Sequence, residues 1–265
     1  MQDMTDYPWR HIAITGASSG LGRALAEACA APGTTLYLTA RDASRLEQAA
    51  TACRAAGATV VASVLDVRDQ AACTAWVEGM ERLDLLIANA GISGGTGGGA
   101  EPATQVRAVF ETNLVGVLNT TLPALARLAT QEPDSQGLRG RVGVVASVVG
   151  FVAAPSAPAY SASKAAVQRW AEATDATQRR HGIRLHAICP GFIRTPMTAP
   201  NRFPMPFMIS PEEAARRTLA GLAAGHTRIA FPRRTYWLFR LLGAVPRGLM
   251  AWASRAVPAK DVSAA

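Results

Sequence analysis

Three residues of this chain have types and spacing suited to moving a proton: Ser147, Tyr160 and Lys164, within the stretch SVVGFVAAPSAPAYSASK. A tyrosine and a lysine four positions apart on a helix lie on one face, a turn apart. A cation beside a phenol favours the phenolate and lowers a pKa that is otherwise about 10, too high for base work at neutral pH. A serine hydroxyl at the same point can hydrogen-bond an oxygen on which negative charge develops. Taken singly, such a serine ordinarily caps a turn and such a tyrosine ordinarily packs on a surface. Composition favours the chemical reading. The chain has 25 arginines and only two lysines, Lys164 and Lys260, so a compact point charge is kept where a planar fork is the usual choice.

The elements that must position these residues follow from the apolar pattern. RHIAIT at 10–15 reads as a strand, followed by the turn GASSGLG and a helix to about Ala30, stopped by Pro32 and Gly33. Further strands are predicted at 36–40, 59–67, 83–91, 143–149, 183–189 and 228–232. Helices are predicted at 44–56, 69–80, 104–129 as one long helix, 159–181 and 211–224. This alternation implies βαβ units and a parallel sheet. The glycine-rich loop 93–102 leaves the C-terminal end of a strand, where ligand sites of such sheets lie. No internal repeat and no linker divides the 265 residues into two domains.

Gly16, Gly20 and Gly22 form T-G-x-x-x-G-x-G between the first strand and the first helix. Glycines there permit a tight turn and close approach of a pyrophosphate to the N–H groups of a helix N-terminus. The spacing differs from plain GxGxxG, and no GK[ST] follows, which excludes a nucleoside-triphosphatase loop.

With these motifs in order, the chain resembles the short-chain dehydrogenases/reductases over roughly residues 10–232. The resemblance is carried by TGASSGLG at 15–22, LDV at 65–67, NAG at 89–91, Asn113, Ser147, Tyr160-x-x-x-Lys164 and PG at 190–191. It implies a single α/β domain, a three-layer α/β/α Rossmann-like doubly wound parallel sheet of about seven strands. It assigns Gly16, Ser18, Ser19, Gly20, Leu21 and Gly22 to the cofactor phosphates and ribose, and Asp66 and Val67 to the adenine. Asn89, Ala90 and Gly91 run along the cofactor. Pro190, Gly191, Ile193 and Thr195 border the nicotinamide side, and Lys164 holds the nicotinamide ribose beside Tyr160. Asn113 positions a water and relays protons near Lys164. The implied reaction passes a hydride between a nicotinamide and a carbonyl or secondary alcohol, with Tyr160 as general acid/base and Ser147 on the same oxygen. A NAD-specific site carries an acid at the end of the second strand. This chain has Ala40-Arg41 there, and an arginine can pair with a 2′-phosphate. NADP(H) is therefore expected in preference to NAD(H), although Asp42 follows immediately. A homodimer or homotetramer is expected.

Residues 192–210 are the expected substrate lid, where Met197, Phe203, Met205, Phe207 and Met208 suggest an apolar substrate, or else pack on the core. The catalytic domain then spans 1–232, and 233–265 form a basic, apolar helical extension. Residues 1–178 hold thirteen bases and sixteen acids, whereas 179–265 hold fourteen bases and three acids. That asymmetry suits an anionic substrate, a membrane surface or nucleic acid, or reflects arginine used for solubility. Arg233, Arg240 and Arg247 would align on a continuous helix, with Trp237 and several leucines beside them, but Gly243 and Pro246 would interrupt or bend such a helix. Helical cover of the cleft or an oligomer interface ranks first and peripheral membrane contact second. The alternative function is an NAD(P)-binding regulatory or interaction protein whose basic tail meets a membrane or nucleic acid. No zinc finger or RNA-binding motif supports specific nucleic-acid binding. Cys29, Cys53, Cys73 and Cys189 form no CxxC and the four histidines no HxxxH pair, so no metal site is expected. The acidic N-terminal stretch MQDMTDYPWR predicts a cytoplasmic protein, with contact at the inner face of the membrane as a further expectation.

Overall fold

Short runs of consecutive apolar residues, too short for helices, build strands buried on both faces. The computed structural model describes residues 7–201, 203–245 and 260. Its elements are β1 (His11–Thr15), α1 (Gly20–Cys29), β2 (Thr35–Ala40), α2 (Ala43–Ala55), β3 (Thr59–Val64), α3 (Gln70–Glu78), β4 (Leu85–Ala88), α4 (Ala103–Phe110), α5 (Gly116–Thr130), β5 (Gly140–Val145), α6 (Pro158–Gln178), β6 (Ile183–Pro190), α7 (Pro211–Ala223), β7 (Arg228–Phe231) and α8 (Arg233–Leu242). The seven strands are parallel and ordered β3-β2-β1-β4-β5-β6-β7. The strand order reverses between β1 and β4, and the crevice beyond their C-terminal ends is the expected ligand site.

Each strand feeds two cores except the edge strand β3, which meets only the first. Ile12 and Ile14 of β1 pack with Leu25 of α1, Leu46 of α2 and Leu219 of α7 on one face. Ala13, between them, packs on the other face with Trp76 of α3, Ala124 of α5 and Val167 of α6. The three-layer Rossmann-like sheet expected from the sequence is therefore present in a single domain.

Several boundaries differ from the sequence reading. The predicted strands 59–67 and 83–91 end early, at Val64 and Ala88, and the residues beyond them leave the ladder to line the crevice. The fifth strand covers 140–145 rather than 143–149, so Ser147 lies just past its end. The predicted long helix 104–129 is interrupted by a π-helical turn, Glu111–Val115, that contains Asn113. Helix α8, by contrast, ends at Leu242 with Gly243 as its cap, where the sequence placed an interruption. Arg247 and the rest of 246–259 lie outside the described residues. Among the described residues, no helix is long and apolar enough to cross a membrane.

Many of the C-terminal arginines are tied internally. Asp175 of α6 accepts from Arg179 at 2.6 Å, Arg184 at 2.9 Å, Thr227 at 2.9 Å and the Leu185 N–H at 3.0 Å. Glu172, one turn earlier, takes Arg228 in a fork at 2.6 and 2.8 Å. Burial alone would raise the Asp175 carboxyl, but these donors hold it well below the usual range. Beside this cluster, fully buried His186 donates from Nδ1 to the His226 carbonyl at 2.7 Å. Among the described residues its buried Nε2 has no hydrogen-bond partner. Burial pushes the His186 pKa down to about 4 against the pull of that carbonyl, with Arg141 and Arg184 adding to the depression.

Acid sensitivity follows. Unfolded histidine takes a proton at about 6.5, whereas folded His186 takes one only near 4. Between those values the unfolded state binds more protons, so stability falls as pH drops. The thermal midpoint should decrease from about pH 6.5 to pH 4, with a shallower slope in His186→Gln. An equal slope in both proteins would refute the assignment.

Candidate active site

The β1–α1 turn places backbone where a ligand could approach. Gly16 and Gly20 adopt φ of +67° and +54°, a region costly for side-chain-bearing residues. Gly22 is required by space: a Cβ there would lie 2.2 Å from the Gly16 carbonyl oxygen and 2.5 Å from Asn89 Nδ2. Ser19 is extended at the start of α1, where no side chain caps the helix and no acid occupies the first turn. The N-terminal N–H groups and dipole of α1 therefore face the crevice without a protein anion.

A knot of hydrogen bonds fixes this turn to β4. Thr15 Oγ1 accepts from the N–H groups of Asn89 and Ala90, each at 3.0 Å. Asn89 Nδ2 returns to the carbonyls of Thr15 at 2.9 Å and Gly16 at 3.3 Å. Thr15 belongs to the recognisable TGASSGLG stretch, yet nothing in the sequence signals that its hydroxyl serves two backbone donors.

Ser147 caps a short 3₁₀ turn after β5, its Oγ accepting from the Val149 N–H at 3.2 Å. Tyr160 is the third residue of α6 and Lys164 follows one turn later. Gly150 lets α6 approach: a Cβ there would meet the Ala165 nitrogen at 3.0 Å. The Ser147 hydroxyl donates to the Pro190 carbonyl at 3.5 Å and stands close enough to the Tyr160 phenol to influence its pKa. The buried Lys164 ammonium donates to the Val145 carbonyl at 2.8 Å and lies 5.9 Å from the Tyr160 ring centroid. Asn113, fully buried, accepts from the Ile92 N–H at 2.8 Å and donates to the Ile92 carbonyl at 2.9 Å and to Ser163 Oγ at 3.1 Å. Ser163 in turn donates to the Tyr160 carbonyl at 2.9 Å. The π turn thus ties the end of β4 to the first turn of α6, as such bulges often do at functional sites.

The electrostatics differ from the expectation in one respect. Burial pushes the Tyr160 phenol above its ordinary pKa, and the nearby Ser147 hydroxyl pulls it partly back. Lys164 does not lower it here, because its ammonium is turned to the Val145 carbonyl. Burial brings Lys164 itself down to about 8, with a smaller upward pull from Cys189.

A cleft of about 640 Å³ runs from the α1 turn to Ser147 and Tyr160. It is lined by every residue that the sequence assigned to a cofactor except Gly22, which packs behind the turn. Asn113 stands behind Gly91 rather than in the cleft: a Cβ on Gly91 would meet Asn113 Oδ1 at 3.1 Å and Lys164 Nζ at 3.4 Å. Sequence reasoning missed Arg45 and Thr39. Arg45 lines the cleft one helical turn from Arg41. Thr39 also lines it, and its buried Oγ1 has no hydrogen-bond partner among the described residues. Asp42 is engaged as the cap of α2, accepting from the Arg45 N–H at 2.9 Å and from Arg45 Nε at 2.7 Å. Asp66 similarly takes Arg68 in a fork, with Nη2 at 2.6 Å. On the far side, Phe192 meets Phe203 and Phe239 edge-on at 6.1 and 6.2 Å. Met197 and Phe207 are exposed, and the other named apolar residues of the expected lid are only half-buried, so these side chains are not core, whereas Ile193 of the same segment is.

Comparison with known proteins identifies the family. The family model for short chain dehydrogenase matches residues 10–204. The chain belongs to the short-chain dehydrogenase family. An uncharacterized oxidoreductase of Myxococcus xanthus is 32% identical over 256 residues, covering 95% of this chain and 99% of that protein. A short-chain dehydrogenase of Sphingobium yanoikuyae in complex with NADPH superposes with a TM-score of 0.77 at 26% identity, covering 91% of this chain and 95% of that one. A Burkholderia phymatum short chain dehydrogenase/reductase in complex with NAD superposes with a TM-score of 0.78 at 25% identity, covering 91% and 94%.

The packing at Gly22 gives a test. Gly22→Ala must push backbone apart and should destabilise the protein by about 1–3 kcal/mol in denaturant unfolding. Gly99→Ala, where among the described residues only the loop's own Thr96 carbonyl is met within 4 Å, should stay within about 0.5 kcal/mol. Equal effects would contradict the close contact described.

Proposed function

We propose that the protein is an NADP(H)-dependent oxidoreductase acting on a carbonyl or secondary alcohol of a small, largely apolar molecule. The observation that carries this is the convergence of Ser147, Tyr160 and Lys164 at one end of the cleft, with the uncapped α1 turn at the other. The residues present fit a phosphate-bearing dinucleotide. Gly16, Ser18, Ser19, Gly20 and Leu21 would hold the diphosphate at the α1 N-terminus. Arg41, with Arg45 beside it and the free Thr39 hydroxyl behind, would hold a 2′-phosphate. Asp42 does not compete for the ribose, because it caps α2. Asp66 and Val67 would border the adenine, Asn89 to Gly91 the middle of the cofactor, and Pro190, Gly191, Ile193 and Thr195 the nicotinamide side. The nicotinamide, when bound, supplies or takes up the hydride.

The protein's own groups handle the proton. In reduction Tyr160 donates from its phenol to the substrate oxygen, while the Ser147 hydroxyl stabilises the charge developing there. In oxidation the phenolate takes the alcohol proton. Lys164 holds the ribose hydroxyls and favours the phenolate when its ammonium swings toward them. Asn113 acts through position: it fixes Ile92 and, through Ser163, the first turn of α6. The half-buried aromatic and methionine side chains of 192–210 form the apolar wall over the substrate.

A panel of ketones and alcohols read at 340 nm with each cofactor tests the reaction. Tyr160→Phe should lower kcat/KM by about 10²–10⁴-fold, and activity that survives would refute the acid/base role. Because burial holds the phenol high, reduction should persist through neutral and mildly alkaline pH, while oxidation should rise as pH increases. The opposite order would count against Tyr160 as the titrating group.

Cofactor choice is tested separately. Arg41→Asp should shift the NADP(H)-to-NAD(H) ratio of kcat/KM by about tenfold or more toward NAD(H), for the loss of one charge-assisted contact of about 1.5–3 kcal/mol. Parallel changes with both cofactors would remove Arg41 from that role.

A further inference from the structure

The second of the two lysines is not among the surface cations. Lys260 places its ammonium 5.1 Å from the centroid of the Tyr160 ring, nearer than Lys164 at 5.9 Å. In a chain that uses arginine almost everywhere, both lysines converge on one phenol. Lys260 donates from Nζ to Ser93 Oγ, and its carbonyl accepts from the Gly97 N–H at 2.8 Å.

The glycine-rich loop is shaped to receive it. A Cβ on Gly95 would lie 2.3 Å from the Lys260 carbonyl oxygen and 2.5 Å from the Lys260 Cβ, so only glycine leaves room at that position. The seat is also fixed to the catalytic helix. Glu101 accepts from the Ala159 N–H at 2.9 Å, next to Tyr160, and from Gln105 Nε2 at 3.1 Å. Gln105 donates in turn to the Gly95 carbonyl at 3.0 Å. Lys260 and Tyr160 therefore share one frame.

The charge of Lys260 is poorly compensated. Among the described residues no carboxylate makes an ion pair with its ammonium within 4.0 Å. Glu101 acts on it only at longer range and is already committed to Ala159 and Gln105. Burial therefore pushes the Lys260 pKa down, with Glu101 pulling it back. A half-buried ammonium, held on an aromatic face and with no ion-paired carboxylate among the described residues, can receive an anion. It lies beside the phenol that faces the reacting oxygen, so a substrate anion a few atoms from the carbonyl could reach it.

We propose that Lys260 is a substrate-selecting residue that receives a carboxylate carried by the carbonyl substrate. The enzyme then prefers oxo acids, or the matching hydroxy acids, to neutral molecules of the same shape. This rests on the reading of Tyr160 as the acid/base. The apolar wall and the ammonium would contact different ends of one amphipathic substrate.

The test compares 3-oxobutanoate and 4-oxopentanoate with their methyl esters, using wild type, Lys260→Met and Lys260→Arg. The ratio of kcat/KM for acid over ester should fall at least tenfold in Lys260→Met and recover in part in Lys260→Arg. An unchanged ratio in Lys260→Met overturns the proposal, whether both rates fall, as for a lost structural contact, or both rise, as for a removed plug. Calorimetric titration of 4-oxopentanoate into the NADP⁺-saturated protein gives a readout independent of turnover. At least tenfold weaker binding in Lys260→Met supports the proposal, and equal affinity or no binding to wild type overturns it. Retained, Lys260-dependent binding without turnover would instead count against the acid/base reading alone.

Discussion

The site depends on the bond between the ends of β1 and β4. One buried hydroxyl, that of Thr15, accepts two backbone N–H groups that would otherwise have no ladder partner as β4 leaves the sheet. Such donors are costly to bury unsatisfied. The Asn89 amide closes the knot by returning to the carbonyls of the glycine turn. Both halves of the cleft are thereby referenced to one point. The α1 turn is fixed on one side, and Gly91 and Ile92 are delivered on the other to Asn113 and Lys164.

From that point the structure is a sequence of close approaches. Gly22 lets α1 lie against the turn, Gly150 lets α6 lie against the segment after β5, and Gly191 receives Thr235 of α8. Each removes a side chain so that a functional neighbour can stand nearer. The polar groups brought together are then strongly desolvated, which is why the Tyr160 and Lys164 pKa values move in opposite directions, the phenol up and the ammonium down.

The sequence was most legible where spacing alone sets geometry. Tyr160 and Lys164 share a helical face because they are four apart, and the strand–glycine–helix order placed Gly16, Gly20 and Arg41 around one crevice. It was less legible where a side chain serves distant backbone. Thr15, Thr39 and Arg45 have ordinary local contexts, and their importance comes from partners or neighbours across the sheet. The π turn at Glu111–Val115 was read as plain helix because apolar periodicity over so short a span does not separate a helix from a helix with one added residue. The C-terminal charge was counted correctly, but the ion pairs of Asp175 and Glu172 could not be seen without tertiary contacts. Lys260 is the extreme case, since it joins the site from 100 residues beyond Tyr160 in the chain.

The π turn also records a register. One added residue in a helix rotates everything before it by about 100° relative to everything after it. Helix α4, which carries Gln105 toward the glycine loop, and α5, which packs under the sheet, are thus set to different faces of what is nearly one rod. A single-residue deletion within 111–115 would leave a longer, more regular helix and yet turn α4 away from the loop. In this protein helical regularity and site assembly oppose each other at that one position. The length of this segment is therefore as tightly constrained as the identity of Asn113 within it.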